Sequence, residues 1–302
     1  MTGVLVVDKP SGLTSHDVVA RVRRALGERR IGHTGTLDPL ATGVLPLVIG
    51  RATRLASLLA GEDKEYVATV RLGVATDTYD ATGAPAEREF TRCAESVTRD
   101  QVEAALTTFR GTREQVPPAF SAKKVGGVAS YELARRNQAI ALAPVVVTVS
   151  ALTLERFECP LAQIRVTCSA GFYVRSLAHE LGERLGCGAH LESLRRTRAG
   201  SYTQADAVPL DLIEAEGPRA ALRVVPLERL LLHVPAVTLN DRGARRASHG
   251  NWLSPADVEG AFPAPLATGE RSRYRLLDRA KHLIGIADQR PDGALHPVIV
   301  LV

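Results

Sequence analysis

The chain has 302 residues, 45% of them hydrophobic, with a net charge of +5 and a pI of about 9.2. That length supplies one large domain or two unequal ones with an ample core, and no apolar run approaches the ~20 residues that a bilayer span requires. With no secretory leader pattern at Met1–Val7 either, the expectation is a cytoplasmic protein that does not associate with membranes.

The basic residues are 33 Arg and 5 Lys. Arginine offers a planar fork to phosphates and stacks on bases, which suits a polyanionic partner, although genome base composition explains the same bias. Cys93, Cys159, Cys168 and Cys187 include no C-x-x-C pair and no nearby Cys/His tetrad, so neither a metal site nor a disulfide framework is expected.

Taken in order, Gly3–Val7 reads as a short buried strand closed by the turn Asp8-Lys9-Pro10-Ser11-Gly12. Thr14 or Ser15 can cap a helix whose apolar positions Val18, Val19, Val22 and Leu26 recur at helical spacing. Its outer face carries Arg21, Arg23 and Arg24. Residues 30–47 follow, with three glycines, two prolines and one carboxylate, Asp38. Regular structure through the middle of that run is disfavoured, and glycine permits close backbone approach to another molecule. Residues 1–60 hold eight Lys or Arg against four acids, either a solvated helix face or a phosphate-contacting surface.

A short helix is expected over Ala52–Leu59, then an alternating strand over Glu65–Gly73 with Tyr66 near its start. Asp77–Gly83 reads as a polar loop, and residues 99–110 as a helix capped by Thr98. Glu114–Asn137 holds a Pro pair, a Gly pair, Lys123 and Lys124, a basic exposed loop followed by a helix over Ser130–Arg136 that adds Arg135 and Arg136. Val145–Phe157 and Ala162–Cys168 read as strands, and Ser176–Leu185 as a helix stopped by Gly186. From His233 the texture becomes short strands (Ala236–Leu239, Trp252–Leu253, Tyr274–Leu277, His282–Ala287 and Val298–Val302), a small β-rich module. The fold class is α+β, with a mixed, largely antiparallel sheet.

The sequence contains no P-loop, no dinucleotide-binding G-x-G-x-x-G after a strand, no H-E-x-x-H and no G-x-S-x-G. Asp38, Tyr66, Tyr173 and Arg175 remain as the reactive-looking set. An Asp in an apolar loop is pushed up in pKa by desolvation, and a nearby Arg opposes that. Arg175 is equally readable as a structural ion pair, and Tyr66 as a packing residue with a wet hydroxyl or a base-stacking face. His33 is a loop histidine or an RNA contact. Lys9 and Pro10 are a turn or a support for the acid loop.

Val7-Asp8-Lys9-Pro10-Ser11-Gly12, Gly32–Pro46, Glu65-Tyr66 with Val70-Arg71-Leu72-Gly73, Val116–Lys124, Gly171-Phe172-Tyr173-Val174-Arg175, and Gly186–His190 with Leu194-Arg195-Arg196 occur in one order. Together they resemble the motifs of the bacterial TruB family of tRNA pseudouridine synthases, over two thirds of the chain. The resemblance implies the pseudouridine synthase fold in residues 1–232, with an RNA-gripping thumb insertion at about 112–142, and a PUA-like RNA-binding module at 233–302. It implies isomerisation of uridine 55 in the TΨC loop after base flipping, with Asp38 as the catalytic carboxylate. Tyr66 would stack on the uracil, Arg175 would pair with Asp38, and Tyr173 and Leu194 would line the pocket. His33 would lie near the T-loop, Lys9 and Pro10 would support the loop, and Lys123, Lys124, Arg135 and Arg136 would grip RNA. No cofactor, metal, guide RNA or obligate protein partner is implied, and the chain is expected to act as a monomer on the tRNA T stem-loop. Phe172, Ser176 and Glu192-Ser193 depart from the pattern without removing a ring or charge that it uses. A non-catalytic RNA-folding module, alone or alongside catalysis, and a guide-dependent dyskerin-like enzyme are the rival readings.

Overall fold

The computed structural model describes residues 1–86, 90–121, 123–125, 128–130, 142–264, 272–290 and 292–302. Strand β1 (Gly3–Lys9) leads to helix α1 (Ser15–Leu26), strands β2 (Ile31–His33) and β3 (Thr42–Ile49), a 3₁₀ turn (Gly50–Leu55) and the short helix α2 (Ala56–Ala60). β4 (Lys64–Leu72), α3 (Arg99–Thr107) and β5 (Gly111–Gln115) follow, then the small pair β6 (Lys124–Val125) and β7 (Val128–Ala129). β8 (Val145–Glu158), β9 (Leu161–Cys168), α4 (Val174–Leu185), β10 (Ala189–Ala199) and β11 (Tyr202–Thr203) complete the centre. β12 (Val208–Pro209), α5 (Leu210–Glu216) and β13 (Val225–Pro226) precede a last group, β14 (Ala236–Thr238), α6 (Asp241–Ser248), β15 (Arg273–Leu277), β16 (Leu283–Gln289) and β17 (Leu295–Val300).

Local chemistry accounts for the helix starts. Thr14 Oγ1 accepts from Asp17 N–H and Asp17 accepts from Thr14 N–H, a closed capping box before α1, and Thr98 with Gln101 repeats it before α3. Gly27 in the left-handed region ends α1. In β4 the residues Lys64, Tyr66, Ala68, Val70 and Leu72 are buried while the intervening ones are half-exposed, the period-2 pattern of a strand with one packed face.

Among the described residues the main sheet has eleven strands in the order β12-β1-β3-β10-β4-β9-β8-β5, with β2, β11 and β13 attached to β3, β10 and β1. β1 with β12 and β3 with β10 are parallel, and the other pairs are antiparallel. The fold is thus α+β, a mixed and largely antiparallel sheet flanked by helices. β3 explains its own apolar run, because both of its faces are covered. Leu45, Leu47 and Ile49 join the core under α1 and α4, whereas Val44 and Val48 join a second core with Leu283, Ile286 and Leu301 from the C-terminal segment.

β14–β17 form a separate four-stranded sheet in chain order. Short strands alone were expected in this segment, but it also contains α6. Asn240 caps that helix by accepting from Gly243 N–H at 2.9 Å. The helix buries only Gly243 and Ala247 among its polar residues, so no apolar periodicity advertises it. Trp252–Leu253 is reduced to a single bridge, Leu253 to Leu295. The helix expected over Ser130–Arg136 falls, apart from Ser130, outside the described residues.

Gly43 lies where three strands converge, paired with Lys9 of β1 and Arg196 of β10. Its φ is +101°, and a Cβ there would meet the Arg196 carbonyl oxygen at 2.2 Å. Gly43→Ala is expected to cost on the order of 3 kcal/mol through backbone strain and that clash. Urea unfolding should show a lower midpoint at unchanged slope, and a midpoint equal to the parent chain's would contradict this reading.

Candidate active site

The loop between β2 and β3 has no regular structure of its own, so its shape is imposed by side chains that reach in from elsewhere. Lys9, fully buried, donates from Nζ to the carbonyls of Pro10 (2.9 Å), Pro39 (3.3 Å) and Ala41 (2.7 Å). Burial pushes its ammonium down to about 8, with Asp38 pulling the other way. Ser15 Oγ accepts from Leu37 N–H at 2.8 Å and lies 3.1 Å from the Leu37 carbonyl. Arg196, also fully buried, donates to Val44 O at 2.7 Å and Gly35 O at 3.1 Å. The loop is therefore pinned at both ends by cations that satisfy its inward carbonyls.

Asp38 is held at the apex. Arg175 approaches from the first turn of α4 as a two-point fork, Nε to Oδ2 at 2.9 Å and Nη2 to Oδ1 at 3.2 Å. The Arg175 side chain is 6% exposed, while that of Asp38 retains 35% exposure, so the open side of the pair belongs to the acid. Arg175 also donates to Thr78 O at 3.2 Å and Phe120 O at 2.9 Å, and Asp80 stands 3.6 Å from its Nη1. Asp80 is itself buried and accepts from Thr78 Oγ1, Thr82 N–H and Thr82 Oγ1. Desolvation raises the Asp38 carboxyl above its ordinary value, Arg175 opposes that, and Asp80 reinforces it. Because the folded value lies above the unfolded one, the charged group costs stability above its folded pKa, and that cost is relieved as pH falls through it.

A cavity of about 260 Å³ opens beside this pair, lined by Thr34–Asp38, Ala60, Lys64, Tyr66, the segment Ser169–Arg175, Leu194 and Arg196. Tyr66 projects from the packed face of β4 and Leu194 from β10, while Tyr173 is the N-cap residue of α4. Tyr66 is only 9% exposed and sits opposite Arg196 across β4 and β10, and burial raises the pKa of its hydroxyl. A larger open depression of about 1000 Å³ lies on the other face of β4, lined by Glu65, Thr69, Arg165, Glu192 and Arg195 among others. Most of its charges are already paired, Arg165 with Glu65 and Glu155, Arg71 with Glu192, and Arg195 with Asp8, while Arg198 donates to the Gly200 carbonyl at 3.1 Å. The smaller cavity, with its half-open carboxylate, is the one equipped for chemistry.

The structure brings together Asp38, Arg175, Tyr66, Tyr173 and Leu194 around one cavity, with Lys9 and Pro10 beneath the loop. His33 is half-buried on β2 and does not line the cavity. Its ring meets His16 edge-on at 5.4 Å and its Nδ1 accepts from Gly35 N–H at 3.3 Å; burial, then His16 and Arg196, lowers its pKa. Lys123 donates to Ala143 O at 3.1 Å, away from the cavity. Lys124 belongs to the antiparallel β6–β7 pair, and Arg135 and Arg136 lie outside the described residues. Sequence reasoning did not single out Arg196 or Asp80. Strand alternation from Leu194 would have placed Arg196 inward, whereas Asp80 sits in a polar loop with no periodicity. Among the described residues no group of three or more His, Cys, Asp or Glu could hold a metal ion, and no helix is long and apolar enough to cross a membrane.

The family model described as "TruB family pseudouridylate synthase (N terminal domain)" matches residues 23–174, and "tRNA pseudouridylate synthase B C-terminal domain" matches residues 175–233. Relatives named tRNA pseudouridine synthase B include one from Solibacter usitatus, 44% identical over all of both chains. Others are from Pseudomonas paraeruginosa, 41% identical over 98% of this chain and 95% of that one, and Dehalococcoides mccartyi, 36% identical over 100% and 97%. A solved H/ACA RNP bound to a substrate RNA containing 2′-deoxyuridine includes a chain with a TM-score of 0.72 and 25% identity, covering 99% of this chain and 85% of that one. A Cbf5–Nop10–Gar1 complex gives a TM-score of 0.69 and 27% identity over 95% and 78%.

Asp80→Asn preserves the acceptor oxygen used by Thr78 and Thr82 and removes one negative charge beside the pair. The Asp38 carboxyl is expected to titrate at lower pH in this variant, as followed by carboxyl-carbon NMR. An unchanged or higher titration would show that the Asp80 charge is not felt at Asp38.

Proposed function

The chain belongs to the TruB family and is a tRNA pseudouridine synthase; we propose that it isomerises uridine 55 of the TΨC loop, with Asp38 as the acting carboxylate. The observation that carries this reading is the half-open Asp38, forked by Arg175, at the edge of a cavity walled by Tyr66, Tyr173 and Leu194. Isomerisation breaks the N1–C1′ bond, turns the base and joins C5 to C1′, while a proton leaves C5 and one is gained at N1. Nothing is added or removed overall, so the reaction calls for no cofactor.

A stacked uridine cannot present its glycosidic bond to a carboxylate, so the nucleotide is flipped into the cavity. Tyr66 offers its ring to the uracil, and the Arg196 contact at its hydroxyl fixes the ring in place. Leu194 and Tyr173 exclude water from the other sides. Asp38 must be ionised to act as a nucleophile at C6 of the base or C1′ of the sugar. Arg175 keeps it charged against the cost of burial. His33, beside Gly35 at the rim, faces the T-loop from which the base has left.

In this reading residues 1–232 form the catalytic unit and residues 233–302 a PUA-like RNA-binding unit. The insertion at about 112–142 grips phosphates through Lys123, Lys124, Arg135 and Arg136. The chain works in the cytoplasm as a monomer, without a guide RNA or protein partner, and by the same surface can assist tRNA folding. The relatives named tRNA pseudouridine synthase B match it end to end, whereas it leaves 15–22% of the H/ACA and Cbf5 chains uncovered. That favours the free-standing reading over the guide-dependent one.

The test is to incubate purified chain with unmodified tRNA and map pseudouridine. Modification is expected at the T-loop uridine with no added RNA or protein. Asp38→Asn should abolish it while leaving tRNA affinity within about twofold, since phosphate contacts dominate binding. Pseudouridine made by that variant would remove Asp38 from the reaction.

A further inference from the structure

Helix α4 begins without a cap of its own: Tyr173, its N-cap residue, makes no side-chain capping bond. The N-cap residue is instead held by its own backbone from β5. Gln115, the last residue of that strand and only 1% exposed, accepts from Tyr173 N–H at 2.8 Å through Oε1 and donates to Tyr173 O at 3.0 Å through Nε2. These two bonds fix the orientation of the carboxamide, since the reverse would set oxygen against oxygen and hydrogen against hydrogen. A primary amide thus exchanges both its hydrogen-bonding groups with one backbone residue, as a neighbouring strand would.

The surrounding contacts tie the same two segments together. Ser176 Oγ donates to Val116 O at 2.9 Å, Arg175 Nη2 donates to Phe120 O at 2.9 Å, and Arg113 pairs with Glu180. Residues at the root of the insertion are therefore bonded to the first turns of α4. That turn carries Tyr173, which lines the cavity, and Arg175, which forks Asp38. Gln115 touches neither the cavity nor Asp38.

We propose that Gln115 is a positioning residue for the isomerisation. By holding the Tyr173 backbone it sets the Arg175 guanidinium against Asp38, and it ties the seat of the RNA-gripping insertion to the reacting carboxylate. The proposal rests on the assignment of the cavity to uridine isomerisation. Its energetic basis is that losing Gln115 removes the partner of the Tyr173 N–H and one of two donors to the Tyr173 carbonyl, the other being Leu177 N–H at 3.2 Å, which loosens the helix start, and that a misplacement of about 1 Å can cost about a hundredfold in rate.

The test compares wild-type chain with Gln115→Met, which keeps shape and loses both bonds, and Gln115→Glu, which keeps the acceptor for Tyr173 N–H. Each is assayed by single-turnover pseudouridine formation, tRNA binding and thermal unfolding. In folded variants the rate constant is expected to fall in the order wild type, Glu, Met, by about tenfold to a hundredfold in the last, with tRNA affinity within about twofold because the phosphate contacts are untouched. The acid limb of the Met variant should move to higher pH, because a looser Arg175 lowers the Asp38 pKa less. Folded variants with wild-type rates and an unmoved acid limb overturn the proposal, as does a rate loss explained wholly by weaker binding or by unfolded protein. A wild-type chain that makes no pseudouridine overturns the functional assignment instead, and this proposal with it. If neither variant folds, amide exchange at Tyr173 in the wild-type chain decides, slow exchange supporting the bond to Gln115 and fast exchange refuting it.

Discussion

The Asp38–Arg175 ion pair is the interaction on which the rest of the arrangement depends. A guanidinium this deeply buried is tolerable only when its N–H groups are matched and a counter-charge is near. Here they are shared among Asp38, the Thr78 carbonyl and the Phe120 carbonyl, with Asp80 behind. The Asp38 loop, the 77–83 loop and the segment around Phe120 thus converge on one side chain. The asymmetry in exposure follows: the arginine is enclosed by its partners, and the carboxylate keeps its free side toward the cavity.

Two further cations hold the loop from below. Lys9 and Arg196 spend their donors on carbonyls of the loop and of its flanks, Pro10 in the preceding turn and Val44 in β3, and so turn a glycine- and proline-rich segment into a rigid mount. Arg196 does this from β10 while also meeting the Tyr66 hydroxyl from β4. The Asp38 loop and the Tyr66 ring are consequently referenced to the same buried charge. β3, which leaves the loop, is packed on both faces, and its outer face is covered by the C-terminal segment through Leu283, Ile286 and Leu301. The small β-rich module is therefore part of what keeps the strand beneath the site in place.

Much of this is legible in the sequence, and where it is not the reasons are physical. The capping residues Thr14 and Thr98 and the alternation from Glu65 onward are local signals, and each marks the element observed. The Asp38 loop announced itself because a lone acid among glycines, threonines and prolines has little structural purpose. Asp80 and Gln115 gave no such signal, since their roles come from partners far along the chain, Arg175 and Tyr173. α6 was hidden because Gly243 and Ala247, the residues it buries, carry almost no hydrophobic pattern. For Tyr66 a packing role with a wet hydroxyl and a base-stacking role stood as alternatives, because strand position alone does not disclose its cross-strand neighbour on β10, the buried Arg196.

The proposed reaction requires Arg175 to keep Asp38 ionised at the moment of reaction. The direct measurement is the pH dependence of single-turnover pseudouridine formation in wild-type chain and in Arg175→Gln, which removes the charge that lowers the Asp38 pKa. Activity should fall as pH drops through the Asp38 pKa, and in the variant that acid limb should lie at distinctly higher pH. A folded, tRNA-binding variant whose acid limb coincides with the wild type's, or lies below it, would contradict the central claim.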